Sequence, residues 1–167
     1  MSRSVTDREP AVRRVYYHDP AAPPATVVVP AVVVAVPGPD GTLLLVRRCD
    51  SGGWELPGGR VDVGESAAAA AVRETAEESG VLVTVTGLIG VHSDPGYVVR
   101  SPAGEVRQPF VLLLRGREVG GTVRADLHET SDARWFAPAG IAGLPVEPAA
   151  RVLIEHALAA GPEPHIH

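Results

Sequence analysis

Apolar residues along this chain follow two periods, one of strands and one of helices. From Thr26 to Val36 valine dominates, and Thr42 to Arg47 is rich in leucine, with Pro37-Gly38-Pro39-Asp40-Gly41 between them. Two apolar runs across a proline-glycine turn predict a β-hairpin. Pro30 cannot donate to a ladder, so the first strand should begin at an edge or after it. Trp54-Glu55-Leu56 predicts a short strand entering a glycine turn, with Trp54 in the core. Val81 to Val91 alternates in part and holds Gly87 and Gly90, which predicts a bent strand at the centre of the sheet. Val98-Val99 and Gln108 to Leu114, joined through Pro102-Ala103-Gly104, predict a second hairpin. Beyond them come a loop and short strand over Gly116 to Val123, a polar loop over Arg124 to Asp132, and a strand at Arg134-Trp135-Phe136.

Helical signals occur twice. Alanines 67–71 are strong helix formers, Ser66 can cap the first turn and Gly80 sits where a left-handed cap would end it, so a helix is predicted over Ser66 to Ser79. Its small residues Ala68, Ala69, Val72 and Ala76 are expected to lie against a sheet. A second amphipathic helix is predicted over Glu147 to Ala159, with Val152, Leu153, Ala157 and Leu158 inward. Residues 1–25 carry Pro10, Pro20, Pro23 and Pro24, which favours an extended arm, with Val12 to Tyr17 as a candidate strand within it. The Pro-rich tail, 161–167, holds His165 and His167 and is expected to be disordered. Between them, 26–160 should form one domain, and mixed strands with two helices predict an α/β sandwich.

The candidate chemistry lies on the first helix. Glu74, Glu77 and Glu78 stand at i, i+3 and i+4, which places three carboxylates on one face. Like charges at this spacing repel, and acidic groups in the last turn face the negative end of the helix dipole, each costing roughly 0.3–1 kcal/mol when exposed. A positive charge should offset this. Arg73 supplies one, and a hard divalent cation suits an all-oxygen donor set. Asp126 and Glu129 add two carboxylates in the polar loop that follows.

Gly59, Glu65, Arg73, Glu74, Glu77, Glu78 and Gly80, with Val81, reproduce the pattern G-x5-E-x7-R-E-U-x-E-E-x-G-U, where U is a bulky aliphatic residue. In this the chain resembles the Nudix (MutT-like) hydrolase family. Thr75 departs from the pattern at the first U position, but a β-branched residue should still pack there. The lead-in Leu56-Pro57-Gly58-Gly59 is also similar, and the resemblance extends in coarse order from about Val27 to Leu158. It implies a Nudix-type α/β/α sandwich with a mixed sheet. It further implies hydrolysis of a diphosphate joining a nucleoside to another group, with Mg2+ as first choice of metal and Mn2+ as second, held by Glu74, Glu77, Glu78 and Glu65. The general base would be one of Glu74, Glu77 and Glu78, or Glu129 from the loop. Arg73 would orient a glutamate, and Gly58 and Gly59 would allow close backbone approach of substrate. Arg47 and Tyr97 are further substrate-contact candidates. Within the family's pattern Pro95 points to ADP-ribose and Tyr97 to dinucleoside polyphosphates, and nucleoside triphosphates stay open. The alternative from another class is a non-catalytic Nudix-fold nucleotide sensor.

Charge and cysteine content narrow the partners. A net charge of −5 argues against a broad grip on nucleic acid. Cys49 is the only cysteine, so no intramolecular disulfide or cysteine zinc cluster is available, which suits a reducing cytoplasm. No apolar run reaches membrane-spanning length, and Met1 to Pro10 lacks the apolar stretch of a signal peptide. The expected partner is a small nucleotide-type substrate, with neither nucleic acid nor membrane, and with a homodimer as the macromolecular option.

Overall fold

The computed structural model describes residues 12–167, so residues 1–11 of the expected arm lie outside the described residues. Ten strands and three helices follow in order: β1 (Arg14–Tyr17), β2 (Val27–Ala35), β3 (Leu43–Arg48), β4 (Trp54–Glu55), β5 (Gly58–Arg60), α1 (Ala67–Ser79), β6 (Val81–His92), β7 (Tyr97–Arg100), β8 (Val106–Gly121), β9 (Thr130–Phe136), α2 (Pro138–Ile141), α3 (Pro148–Leu158) and β10 (His165–Ile166). The long β8 organises the larger, mixed sheet. On one edge it pairs in parallel with β2, which carries β5 antiparallel on its far side. On the other edge β7 and then β6 pair with it antiparallel, β1 extends β7, and β10 extends β6. A second sheet has the order β4-β3-β9.

Strand alternation sends residues to two cores, one on each face. Val32, Val34 and Val36 with Leu44, Val81, Val83 and Leu114 pack on Ala70 and Ala71 of α1. Ala35, Leu43, Leu45, Trp54, Val111 and Leu113 pack on Ile141, Leu153 and Ile154. Helix α1 is bounded as its sequence predicts. Ser66 accepts a hydrogen bond from the Ala69 N–H at 3.1 Å, and Gly80, at φ 71°, donates its N–H to Ala76 O. Thr75 is fully buried and donates to Ala71 O at 2.8 Å, so the departure from the aliphatic pattern satisfies its own hydroxyl.

Several expectations are corrected. β2 and β3 do not form a hairpin; apart from the Pro37–Leu43 bridge and the Leu44 N–H to Val36 O bond, they diverge into different sheets. Both are apolar on both faces, and only separate layers cover all of those faces. β8, not β6, is central, and β8 continues through the segment expected as a loop from Gly116. β6 is bent, with register shifts around Gly87 and Gly90. The packing face of α1 is Ala70, Ala71, Thr75 and Ser79, while Ala68, Ala69 and Val72 are exposed. The helix is thus rotated so that Glu78 is carried inward with that face. In α3, Leu153 and Ile154 are buried and Leu158 is exposed. The tail is ordered at His165–Ile166: the His167 N–H donates to Val91 O and the Ser93 N–H to His167 O, both at 2.9 Å.

Candidate active site

β5 is the last strand of its sheet, and α1 packs behind it. The glycines of β5 leave no side-chain layer between helix and sheet edge, so the carboxylates of α1 reach through. A Cβ at Gly58 would collide with the Val32 carbonyl, and one at Gly59 with the carboxylate of Glu74. Glu78 is 2% exposed and accepts a hydrogen bond from the Gly58 N–H at 2.9 Å. Burial, reinforced by the nearby charges of Glu55 and Glu74, pushes its carboxyl well above the usual range. Burial also raises Glu74, opposed by its contact with Arg73.

Arg73 holds the cluster from outside. Its Nε and Nη2 donate to the two oxygens of Glu65 at 2.8 and 2.9 Å. Its Nη1 donates to Glu74 at 2.9 Å and to Glu77 at 3.2 Å, and Nη2 also reaches the Arg60 carbonyl. The guanidinium is therefore fixed to the loop before α1 and to two glutamates on it. Its bonds, that to Glu65 foremost, raise its basicity further and lower Glu65.

In front of these groups lies a cavity of about 360 Å³. Gly58, Gly59, Glu74, Glu78 and Glu129 line one end, and Tyr97 lines the sheet floor. Other predicted residues fall elsewhere. Arg47 does not line the cavity; strand alternation turns it outward, and its Nε donates to Gly52 O at 3.0 Å. Its neighbour Arg48 faces inward, bonded to Asp50 at 2.8 Å and to Glu55 at 3.1 Å. Burial works against the Arg48 charge, and the two carboxylates more than restore it. Glu65 and Glu77 also stay outside the cavity, Glu65 against Arg73 and Glu77 with its side chain 58% exposed.

Glu129 is carried to the cavity by a tight loop. Asp126 accepts from the N–H groups of His128, Glu129 and Thr130 at 2.9–3.0 Å, and these bonds hold its carboxyl below the usual range against the effect of burial. The Thr130 hydroxyl donates to Glu78 O at 2.8 Å, which ties the loop to the end of α1. Sequence reasoning missed Arg13, Arg48, Glu55 and Arg107, all of which line the cavity. None of them had a signal in the sequence: β3 is apolar on both faces up to Val46, which leaves Arg47 and Arg48 equivalent, and the others are assembled only by strand pairing.

The donor set suits a hard divalent cation. It is all carboxylate oxygen, and the most buried member, Glu78, is ionised only at a cost that a cation would remove. Among the described residues the carboxylates are not closed around a common point, because Arg73 draws Glu74 and Glu77 toward itself.

The chain matches the NUDIX domain over residues 27–157. It is 42% identical over 96 residues to a Bacillus subtilis protein named putative 8-oxo-dGTP diphosphatase, covering 58% of this chain and 58% of that protein. A Streptomyces ambofaciens MutT-like protein is 32% identical over 128 residues, covering 77% and 76% of the two chains. In fold the chain is similar to the crystal structure of an ADP-ribose pyrophosphatase from Streptococcus suis, with a TM-score of 0.66 and 21% identity over 83% of this chain and 98% of that one. With the glycine edge, the arginine clamp and the buried glutamates in one place, the match over 27–157 places this chain in the NUDIX domain family, the pyrophosphohydrolase family to which its box pointed.

Proposed function

We propose that the chain is a Mg2+-dependent hydrolase that cleaves the diphosphate of a nucleoside diphosphate linked to a further group. The observation that carries this reading is the pair of charge-disfavoured carboxylates, Glu74 and Glu78, at the end of a cavity whose walls also hold arginines. Substrate candidates are nucleoside triphosphates, nucleotide sugars such as ADP-ribose, and dinucleoside polyphosphates. The name of the Bacillus relative falls within the first class.

Glu74 and Glu78, with Glu77 turned inward from Arg73, would hold Mg2+, with Mn2+ as the second choice. The bound metal supplies positive charge for the diphosphate oxygens and relieves repulsion among the glutamates. Gly58 and Gly59 line the same end, and the space a side chain at either would take is filled by the Val32 carbonyl and the Glu74 carboxylate, so these glycines seat Glu74 rather than open the backbone to the diphosphate. Arg73 keeps Glu74 in place from behind without touching substrate. Glu129, at the mouth and outside the Arg73 clamp, is the base: it takes the proton as a water oxygen bonds to phosphorus, and the phosphoanhydride P–O bond breaks with its electron pair on the leaving phosphate.

The test is a turnover screen of nucleoside triphosphates, nucleotide sugars and dinucleoside polyphosphates, with Mg2+ and with excess EDTA. Metal-dependent release of a nucleoside monophosphate is expected from at least one class. Binding without turnover of any of them would instead support a nucleotide sensor.

A further inference from the structure

The cavity runs well past the glutamates. Its floor is one face of the sheet, onto which Arg107, Pro109 and Val111 of β8 and Tyr97 and Val99 of β7 alternate. β1 continues that face, because Val15 pairs with Val99 and Tyr17 with Tyr97. Arg13, two residues before Val15, falls on the same side and lines the cavity. Val111 lies opposite Ala31, which lies opposite Arg60 beside the glycine edge. Arg107 is four residues back along β8, a displacement of about 13 Å at strand rise. That span is long enough for a sugar and a base between the glutamates and the two guanidinium groups.

Both arginines are largely covered, yet among the described residues they are loosely matched. Arg13 is 16% exposed and approaches Glu147 at 3.8 Å, and Arg107 is 19% exposed and approaches Glu105 at 3.5 Å. A charge-assisted hydrogen bond is shorter, roughly 2.7–2.9 Å. Arg48, on the same wall, is by contrast committed to Asp50 and Glu55. Among the described residues Arg13 has Glu147 beside it, and Arg107 shares one oxygen of Glu105 with Arg60, whose Nη1 lies 3.6 Å from it. With the diphosphate at the glutamate end, about 13 Å away, the donors of Arg13 and Arg107 face the base rather than the phosphates. A guanidinium has donors only. Guanine presents O6 and N7 acceptors on one edge, whereas adenine places an N6 amine beside N7 and would set donor against donor.

We propose that Arg13 and Arg107 bind the carbonyl-bearing edge of the substrate's base, so that the site selects guanine-type over adenine-type nucleotides. The orientation, with phosphates at the glutamate end, rests on the hydrolase reading above, and among the substrates named there the proposal favours guanine nucleotides over ADP-ribose.

Calorimetric titration of GMP and AMP without added metal tests the base site apart from turnover. GMP should bind about tenfold more tightly than AMP, and Arg107→Met and Arg13→Met should each reduce that ratio to within threefold. In turnover, Arg107→Met should raise KM for a guanine nucleotide about tenfold with a much smaller change in kcat, and should not raise KM for the adenine counterpart, whose clash with the guanidinium is removed. Should the methionine variant fail to fold by circular dichroism, Arg107→Lys keeps the charge but loses the planar fork, and the GMP preference must still fall. Equal binding of GMP and AMP, or a GMP preference unchanged in the arginine variants, overturns the assignment. A tenfold GMP preference without turnover of any substrate would sustain the base site while overturning the hydrolase reading.

Discussion

The carboxylate of Glu74 occupies the space that any side chain at position 59 would need: a Cβ on Gly59 would collide with all three atoms of that group. Gly59→Ala therefore cannot be absorbed without moving Glu74 away from Arg73 and the cavity. The atoms that must move are the far end of a flexible side chain, so the displacement costs little stability and falls on the site instead. The expected outcome is a folded protein by circular dichroism with a nearly unchanged Tm and turnover reduced at least tenfold. Unchanged kcat/KM would show that the position of Glu74 does not matter.

Glu78 gives a prediction with a sign. Its folded-state pKa is raised above the ordinary 4.5, so between those values the folded state binds more protons than the unfolded one. Its contribution to stability is then full below about 4.5 and lost as pH rises through the raised value. Glu78→Gln keeps an acceptor for the Gly58 N–H and removes the buried charge. In EDTA at pH 7 the variant should melt above wild type, and the gap should shrink toward pH 5. Saturating Mg2+ should raise the Tm of wild type and not that of the variant. A variant that melts lower in EDTA would mean that Glu78 is stabilised by contacts beyond Gly58.

Glu129 and Asp126 can be separated by kinetics. If Glu129 takes the proton of the attacking water, Glu129→Gln should lower kcat by about 10²–10⁴-fold and leave KM nearly unchanged. Asp126→Ala removes an acceptor shared by three backbone N–H groups and should cost about 1–2 kcal/mol of stability. It should also lower kcat by loosening the placement of Glu129. A kcat within threefold of wild type in Glu129→Gln would return the base to the glutamates of α1.

The ordered tail makes a local pH dependence. The imidazole of His92 lies 3.4 Å from His156, and the His156 ring stacks on His165 with ring centroids 4.3 Å apart. Asp94 is the anion on the far side, 3.4 Å from His167 and 2.7 Å from His18, and Glu155 lies near His156. Burial and the neighbouring imidazoles push His92 down from 6.5 to about 4 and also lower His156. With the tail undocked, His92 and His156 lose part of their cover and bind more protons in that window, so docking of β10 should weaken as pH falls from 6.5 toward 4. Hydrogen exchange at the amides of Ile166 and His167 should quicken there before exchange in β8 does. His92→Phe should flatten the dependence, and equal protection at pH 5 and pH 8 would refute it.

How much of this was legible beforehand follows from the range of the interactions involved. The sequence alone determined helix α1 with both caps, the box glycines, the hairpin of β7 and β8 and the burial of Trp54, because each depends on residues a few positions apart and on local backbone preference. Helical spacing also marked Glu74, Glu77 and Glu78 as one face, of which Glu74 and Glu78 line the cavity and Glu77 stays exposed beside Arg73. Only the tertiary structure decided that β2 and β3 separate into different layers, that α1 is rotated to bury Glu78 rather than Ala68 and Ala69, and that Arg48 rather than Arg47 faces the cavity. Arg13 and Arg107 meet there through pairings β1–β7 and β7–β8, and the tail is ordered because β6 offers it an open edge and His156 a stacking partner. Such outcomes depend on which distant surfaces must be covered together, and local periodicity carries no record of that choice.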